Sequence, residues 1–210
     1  MIADDIERMN KDYGVQSFFL MDTMLNYPPG RALELSSEIA KRKINISWSA
    51  TFHPISIDRE VIRNIRASGC NTMMLSPDVL SEKMMVNMRK GFNVDDVMNA
   101  ASAMEAEGMR YIVSLLLGGP GESRKTIEET MQNLAKLKPV MATIRAGLRI
   151  TPFTGLHKIA VEEGLIKETS SLLMPTFYLS REFKNVEDSL SIVRELRIGH
   201  PNWLISGVEI

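Results

Sequence analysis

The chain has 210 residues, 44% hydrophobic and 24% charged, long enough for one large domain or two small ones burying roughly 70% of their unfolded surface, which excludes disorder as its main state. Twenty-five Lys and Arg against 26 Asp and Glu give a formal net charge of -1, so no global field recruits nucleic acid or anionic lipid. A single cysteine, Cys70, and three scattered histidines, His53, His157 and His200, exclude an internal disulfide framework and any zinc-ligand spacing, so no metal ligand is assigned. No apolar run reaches the ~18 residues of a spanning helix, and Asp4, Asp5 and Glu7 stand where a secretory signal would be basic and then apolar, which points to a cytoplasmic protein with no membrane partner.

In chain order, Ile2, Ile6 and Met9 fall at helical spacing up to Tyr13, and Gly14 supplies a stop. Val15–Met21 then reads as a buried parallel strand, being almost wholly apolar. Pro28, Pro29 and Gly30 make a loop, Ala32–Lys43 an amphipathic helix, and Ile44–Ala50 the second strand. Asp58 has the position of an N-cap, with Ile57 and Ile62 as a hydrophobic staple, for a helix over Arg59–Ser68 that ends at Gly69. The third strand is expected at Asn71–Leu75. Helices follow at Asp78–Arg89 and Val94–Glu107, the second with Asn93 as cap and Phe92 and Val97 as staple. The fourth strand, Arg110–Leu117, runs into Gly118-Gly119-Pro120-Gly121-Glu122, a helix covers about Arg124–Leu137, and a fifth strand at Met141–Ile150 ends at Thr151-Pro152. Beyond Gly155 a short helix through Glu163, a loop to Ser180 and a helix over Val186–Ile198 complete the reading.

Alternation of strand-length apolar clusters with helical stretches predicts parallel βα units, an α/β fold that is either doubly wound or an arc of a TIM-like barrel. Both place chemistry just beyond the strand C-termini: Asp22 and Thr23, Thr51 and His53, Ser76 and Asp78, Gly118–Glu122, and Arg149 and Thr151. Each has a plainer reading. The glycine-rich loop is neither a Walker loop nor GxGxxG, so it is a ligand contact or an ordinary βα turn. Asp22 is a ligand group or an edge-of-core acceptor, and Asp78 is a ligand group or the cap of the following helix. Met73, Met74, Met84, Met85 and Met88 are adaptable core filling or the lining of a large ligand. His53 and His157 carry no assigned role. Cys70, at the N-terminal end of its strand, reads as a small buried residue.

Five segments in order resemble the radical S-adenosylmethionine (radical SAM) enzymes, in the branch whose members often carry a cobalamin-binding domain upstream. FFLMDTMLN is similar to that branch's apolar strand ending in Asp-Asp-Thr-Phe, and WSATFHPISIDREVIRNIRASGC to its next strand and helix. MMLSPDVLSEKMMVNMRKG aligns with a segment containing Gly-Ile-Glu-Ser-Gly-Ser and ending in Lys-Gly. SLLLGGPGES resembles Leu-Gly-Leu-Pro-Gly-Glu-Thr, and ITPFTGLHKIAVEEG resembles a Thr-Pro-Phe-Pro-Gly-Thr stretch. The resemblance implies a partial (β/α) TIM-like barrel of parallel strands with outer helices and its first strand missing, over residues 1–164, with 165–210 a helical extension packed on the same domain. It implies S-adenosylmethionine as cofactor: Asp22 and Thr23 near the methionyl amine, Ser76 and Asp78 near ribose or the sulfonium, Gly118, Gly119, Pro120, Gly121 and Glu122 near adenine, and Thr151 and Pro152 closing that side.

It also implies a 4Fe-4S cluster on a Cys-x-x-x-Cys-x-x-Cys loop, with cobalamin as a further cofactor of the branch. One cysteine cannot supply three ligands, so the chain is expected to be inactive by itself, either a piece of a longer enzyme or a relic of one. Met21, Ser76 and Asp78 depart from the family's Asp, Gly and Glu at their positions. Catalytic residues and substrate stay unassigned. Two readings compete: a non-catalytic α/β module that binds a nucleotide-like ligand or self-associates through the open edge Val15–Met21, and a barrel enzyme acting on a phosphorylated substrate at the glycine-rich loop.

Overall fold

The computed structural model describes residues 2–207. Its main sheet has six strands in the order β1-β2-β3-β4-β5-β8: β1 Ser17–Leu20, β2 Ser47–Phe52, β3 Cys70–Asp78, β4 Arg110–Leu117, β5 Met141–Ala146 and β8 Trp203–Gly207. Consecutive strands lie side by side and are joined through helices, the connection that parallel pairing requires. The registers are parallel from Ser17↔Ser47 to Leu20↔Ala50, from Trp48↔Cys70 to Phe52↔Leu75, and from Ala142↔Trp203 to Ala146↔Gly207. The expected α/β class of parallel strands with outer helices is what the chain adopts.

Two compact units divide the chain. The first holds the chain up to Pro77 with Asp95–Ser114 and Leu137–Met141; the second holds Asp78–Val94, Leu115–Lys136 and the chain from Ala142.

In the first unit, α1 Ile2–Tyr13, α2 Arg31–Lys41 and α3 Arg59–Ala67 accompany β1 to β3. Asp58 caps α3 by accepting the Val61 N–H at 2.8 Å, and Ile62 and Ile65 are fully buried. Truncating either to Ala would cost roughly 2–5 kcal/mol. Trp48 is fully buried, and its indole N–H donates to the Ser68 carbonyl at 3.1 Å, so the largest core side chain leaves no polar atom unsatisfied. Gly69 turns the chain between α3 and β3 at φ +97, where a Cβ would stand 2.3 Å from the Ile46 carbonyl oxygen. From Asp95, α5 (Val94–Ala106) adds buried Val97, Ala100, Ala101 and Met104.

The second unit contains α4 Glu82–Asn87, α6 Arg124–Leu134, α7 Gly155–Glu162 and α8 Val186–Leu196, with a small antiparallel pair, β6 Leu148–Arg149 and β7 Phe177–Tyr178. A capping box between Ser123 and Thr126 starts α6.

Several boundaries differ from the sequence reading, each for a local reason. The single strand expected over Met141–Ile150 is two, because Gly147 at φ +98 breaks it and β6 turns to pair with β7. The second strand starts at Ser47 rather than Ile44, after a turn in which Lys43 has φ +53. β3 continues to Asp78, whose φ of +66 ends the strand, so Asp78 does not cap the next helix and α4 begins only at Glu82. Between them Leu80 is tied to α6 instead: its N–H donates to Thr130 Oγ1 at 3.3 Å and its carbonyl accepts Asn133 Nδ2 at 2.7 Å. The reading of helix alone after Ser180 missed β8, a strand in the main sheet.

Candidate functional site

In parallel βα units ligands bind just beyond the C-terminal ends of the strands. Asp22 and Thr23 follow β1, Ser76 and Asp78 end β3, Gly118–Glu122 follows β4, and Thr151 and Pro152 follow β6. Asp22, Thr23 and Ser76 belong to the first unit; Asp78 and the later residues belong to the second.

Within the first unit, Asp22 Oδ2 lies 2.8 Å from Arg31 Nη2 at the start of α2, and Thr23 Oγ1 donates to Oδ1 at 3.3 Å. Partial burial opposes ionisation of Asp22, but the Arg31 guanidinium and the backbone N–H groups of Thr23 and Met24 outweigh it and hold the carboxyl below its ordinary range. The loop is fixed by Asn26, which is buried: its Oδ1 accepts the His53 N–H at 2.7 Å and its Nδ2 donates to the carbonyls of His53 at 2.9 Å and Ile55 at 3.2 Å. The Leu25 N–H donates to the Thr51 carbonyl at 2.8 Å, so the ends of β1 and β2 are held together. Ser76 is half-buried on β3.

In the second unit, Asp78 Oδ2 meets Lys90 Nζ at 2.7 Å, and the same ammonium lies 5.5 Å from the Phe92 ring centroid. Two sides of Lys90 are thus committed, one to a carboxylate and one to an aromatic face.

Burial and packing, not an open anion cradle, explain the glycine-rich loop. Glu122 is 1% exposed, and its Oε2 accepts the N–H groups of Gly118 and Gly119, the second at 3.2 Å. Its Oε1 has no hydrogen-bond partner among the described residues. Desolvation pushes the Glu122 carboxyl up to about 7 against the pull of the two N–H groups. Because the loop's own carboxylate occupies those amides, the phosphate-site reading fails here: a phosphate would have to displace Glu122 and then sit beside it. A Cβ at Gly118 would stand 2.7 Å from Leu179 Cδ1, one at Gly119 would stand 3.2 Å from Met84 Cε, and one at Gly121 would stand 2.7 Å from Asn87 Nδ2. The glycines are there because α4 and the segment after β7 press against the loop. Ser180 completes the clamp, its N–H donating to the Gly118 carbonyl at 2.8 Å and its Oγ to the Glu122 carbonyl at 2.7 Å.

Thr151 and Pro152 are exposed in the turn before α7, and the Thr151 carbonyl accepts Thr154 Oγ1 at 2.7 Å. Met73, Met84 and Met85 are buried as core residues, and His157 is buried in α7. Cys70 is 2% exposed at the start of β3, and desolvation raises its thiol to about 12, which removes it as a thiolate ligand at neutral pH.

Four residues that shape this edge went unread in the sequence: Asn26, Arg31, Asn87 and Lys90. Met84 and Asn87, at i and i+3 on α4, carry a helical-spacing signal. Arg31 and Asn26 act through loops, for which sequence spacing carries none.

The profile of the Radical SAM superfamily matches residues 1–134. This chain belongs to that superfamily. Among curated relatives, an uncharacterized methyltransferase of Pyrococcus horikoshii is 22% identical over 167 residues, 79% of this radical SAM chain and 36% of that protein. Tryptophan 2-C-methyltransferase of Streptomyces laurentii is 22% identical over 176 residues, 77% of this chain and 29% of that protein. Among solved structures, the radical S-adenosylmethionine methyltransferase TsrM of Kitasatospora setae, with cobalamin and a 4Fe-4S cluster bound, superposes with a TM-score of 0.84 at 16% identity, covering 99% of this chain and 47% of that one. At that identity the superposition establishes the shared fold. The chain spans about a third of the curated relatives it matches and about half of TsrM.

Proposed function

We propose that this chain is the S-adenosylmethionine-binding core of a radical SAM enzyme and that it does not catalyse by itself. The observation that carries the reading is the family match over residues 1–134; in support, Asp22 and Thr23 lie beyond the C-terminal end of β1, Ser76 and Asp78 end β3, Gly118–Glu122 follows β4, and Thr151 and Pro152 follow β6 of the smaller sheet. Asp22, held ionised, and Thr23 would receive the methionyl ammonium. Ser76 and Asp78 would meet the ribose or sulfonium, Gly118–Glu122 the adenine, with Thr151 and Pro152 beside it. The unpartnered Oε1 of buried Glu122 supports a ligand contact at that loop. When bound, S-adenosylmethionine supplies an activated methyl group and, on one-electron cleavage, a 5′-deoxyadenosyl radical.

The cluster is a different matter. Three thiolates are needed, the chain has one cysteine, and that one is buried with its thiol held protonated. No group of three or more His, Cys, Asp or Glu side chains that could hold a metal occurs among the described residues. The residues present therefore do not fit the cluster, and its ligands would have to come from outside this chain. Cobalamin enters only as a proposed cofactor of the whole protein, by analogy with TsrM; methyl transfer is the reaction class that the relatives' names favour.

Equilibrium dialysis of the chain against S-adenosylmethionine and 5′-deoxyadenosine tests the reading. Both should bind, and Asp22→Asn should weaken the first by about tenfold while sparing the second, which lacks the ammonium. After anaerobic incubation with iron and sulfide, no cluster absorbance and no 5′-deoxyadenosine production should follow. Binding of neither compound would sink the cofactor reading, and turnover by the chain alone would sink the dependence on outside ligands.

A further inference from the structure

The second unit contains a cleft of about 570 Å³ that passes over Pro120 and is lined by the end of α4, β6 and one face of α7. We propose that it binds an organic anion with an apolar body, the substrate class of the enzyme proposed above, through Arg89 and Lys158.

Its floor is apolar. Leu148 is buried, and Met88, Leu156 and Ile159 pack half-buried against the cluster that Leu148 forms with Ile150, Ala160 and Tyr178. Its rim is cationic. Arg89 and Lys158 both line the cleft, both are exposed, and neither has a carboxylate partner among the described residues. Glu162 is the one acid in the lining, which leaves an excess of one positive charge. Two rim residues also adopt left-handed backbone conformations that side chains rarely take: Arg89 at φ +52, and Phe153 at φ +65 with its ring 97% exposed. Such conformations persist where the surroundings enforce them, and an aromatic ring left in water at the mouth of a cleft is a surface for a ligand to cover.

Charge decides which ligand. S-adenosylmethionine carries a sulfonium, an ammonium and a carboxylate, so it is a net cation, and a cleft with excess positive charge repels it. A carboxylate or phosphate on an apolar body meets the opposite situation: two cations at the rim, apolar carbon below, and a volume within the usual range of small-molecule sites. The occupant is therefore a second ligand, which meets the adenine side of the cofactor at Pro120, the residue that the cleft shares with the proposed cofactor contacts. Its assignment as substrate rests on the radical SAM reading; the anion preference rests on Arg89 and Lys158 alone.

The test uses 2-naphthoate and its neutral isostere 2-naphthamide, titrated into the chain and followed by ligand-detected NMR. Naphthoate should bind at least about tenfold tighter than the amide, and the preference should vanish in Arg89→Ala/Lys158→Ala, whose circular dichroism and melting should match the parent because both side chains are exposed. Glu162→Gln should strengthen naphthoate binding a few-fold, and saturating S-adenosylmethionine should leave it in place. Equal binding of the two probes, a preference that survives the double variant, or displacement by S-adenosylmethionine would overturn the proposal. Naphthoate binding with the expected preference in a chain that fails to bind S-adenosylmethionine upholds the anion cleft and removes the enzyme reading instead.

Discussion

Asn87, the last residue of α4, donates its side-chain amide to the Pro120 carbonyl at 3.0 Å, and that amide stands 2.7 Å from where a Cβ on Gly121 would be. One asparagine thus ties down the glycine-rich loop and must swing aside, losing that hydrogen bond, if Gly121 gains a side chain. Gly121 also has φ +79, so Gly121→Ala carries both a clash and backbone strain, together about 1–3 kcal/mol. In an Asn87→Ala background the clash is gone and the strain remains. Urea unfolding of the four proteins of this double-mutant cycle should therefore show Gly121→Ala costing less by roughly 1 kcal/mol when Asn87 is absent. Additive costs would mean the loop is not held by this contact.

Glu122 makes the stability of the second unit depend on pH. Its carboxyl ionises near 7 in the folded chain against an ordinary 4.5, so the folded state binds the proton more tightly than the unfolded one. The stabilisation is fully present below about pH 4.5 and is lost as pH rises through about 7. The largest contribution is about 3 kcal/mol, at about 1.4 kcal/mol for each tenfold change in proton affinity. In the protonated form the proton belongs on Oε1, since Oε2 already accepts two N–H groups. Glu122→Gln keeps that arrangement without titrating. Melting temperatures between pH 5 and 8.5 should fall in the parent and stay flatter in Glu122→Gln; parallel curves would show that Glu122 does not ionise in this range.

How much of this could be read in advance follows from how local each cause is. Arg110–Leu117 forms a strand with the expected bounds, and Asp58 caps α3 as expected, because an apolar run and an N-cap are decided within a few residues. β8 was missed although Trp203–Gly207 is apolar, since a five-residue strand after a helix reads like a fraying helix end until its neighbour β5 is known. The candidate site residues are legible as positions beyond strand ends more readily than as contacts. Asp22 is legible; its partner Arg31 sits across a loop, and Lys90 reaches Asp78 from twelve positions away, beyond the short helix α4. The loop ending in Glu122 reads in sequence as a ligand contact or an ordinary turn, with a phosphate site as a competing reading, because a glycine-rich turn before a helix has that pattern. That the loop's own carboxylate fills it depends on a fold-back which no spacing rule encodes.

The sheet ends at β1 on one side, and there Phe19 is 53% and Met21 90% exposed. An edge strand beside exposed apolar side chains is a template for another strand, and we propose that two copies of this chain associate through it. Sedimentation should show concentration-dependent dimerisation that Phe19→Lys/Met21→Lys abolishes, because like charges on an edge strand oppose pairing. A parent that stays monomeric at high concentration removes the proposal.

Arg31 and a ligand ammonium compete for the same carboxylate. Asp22 Oδ2 is already engaged at 2.8 Å, so a methionyl ammonium must share or displace the guanidinium, and Arg31→Ala should tighten S-adenosylmethionine binding a few-fold at neutral pH. The same substitution removes part of what holds the Asp22 carboxyl below its ordinary range. A carboxylate with a depressed folded-state pKa keeps its charge, and the interactions that depend on it, until pH falls through that lowered value. In the parent, binding should persist to a lower pH; in Arg31→Ala, the acid limit of binding should move upward towards the ordinary aspartate range. Dialysis between pH 3 and 8 separates the two effects. If Arg31→Ala weakens binding at neutral pH, the guanidinium orients Asp22 for the ligand rather than competing with it, and the acid limit should still move in the same direction.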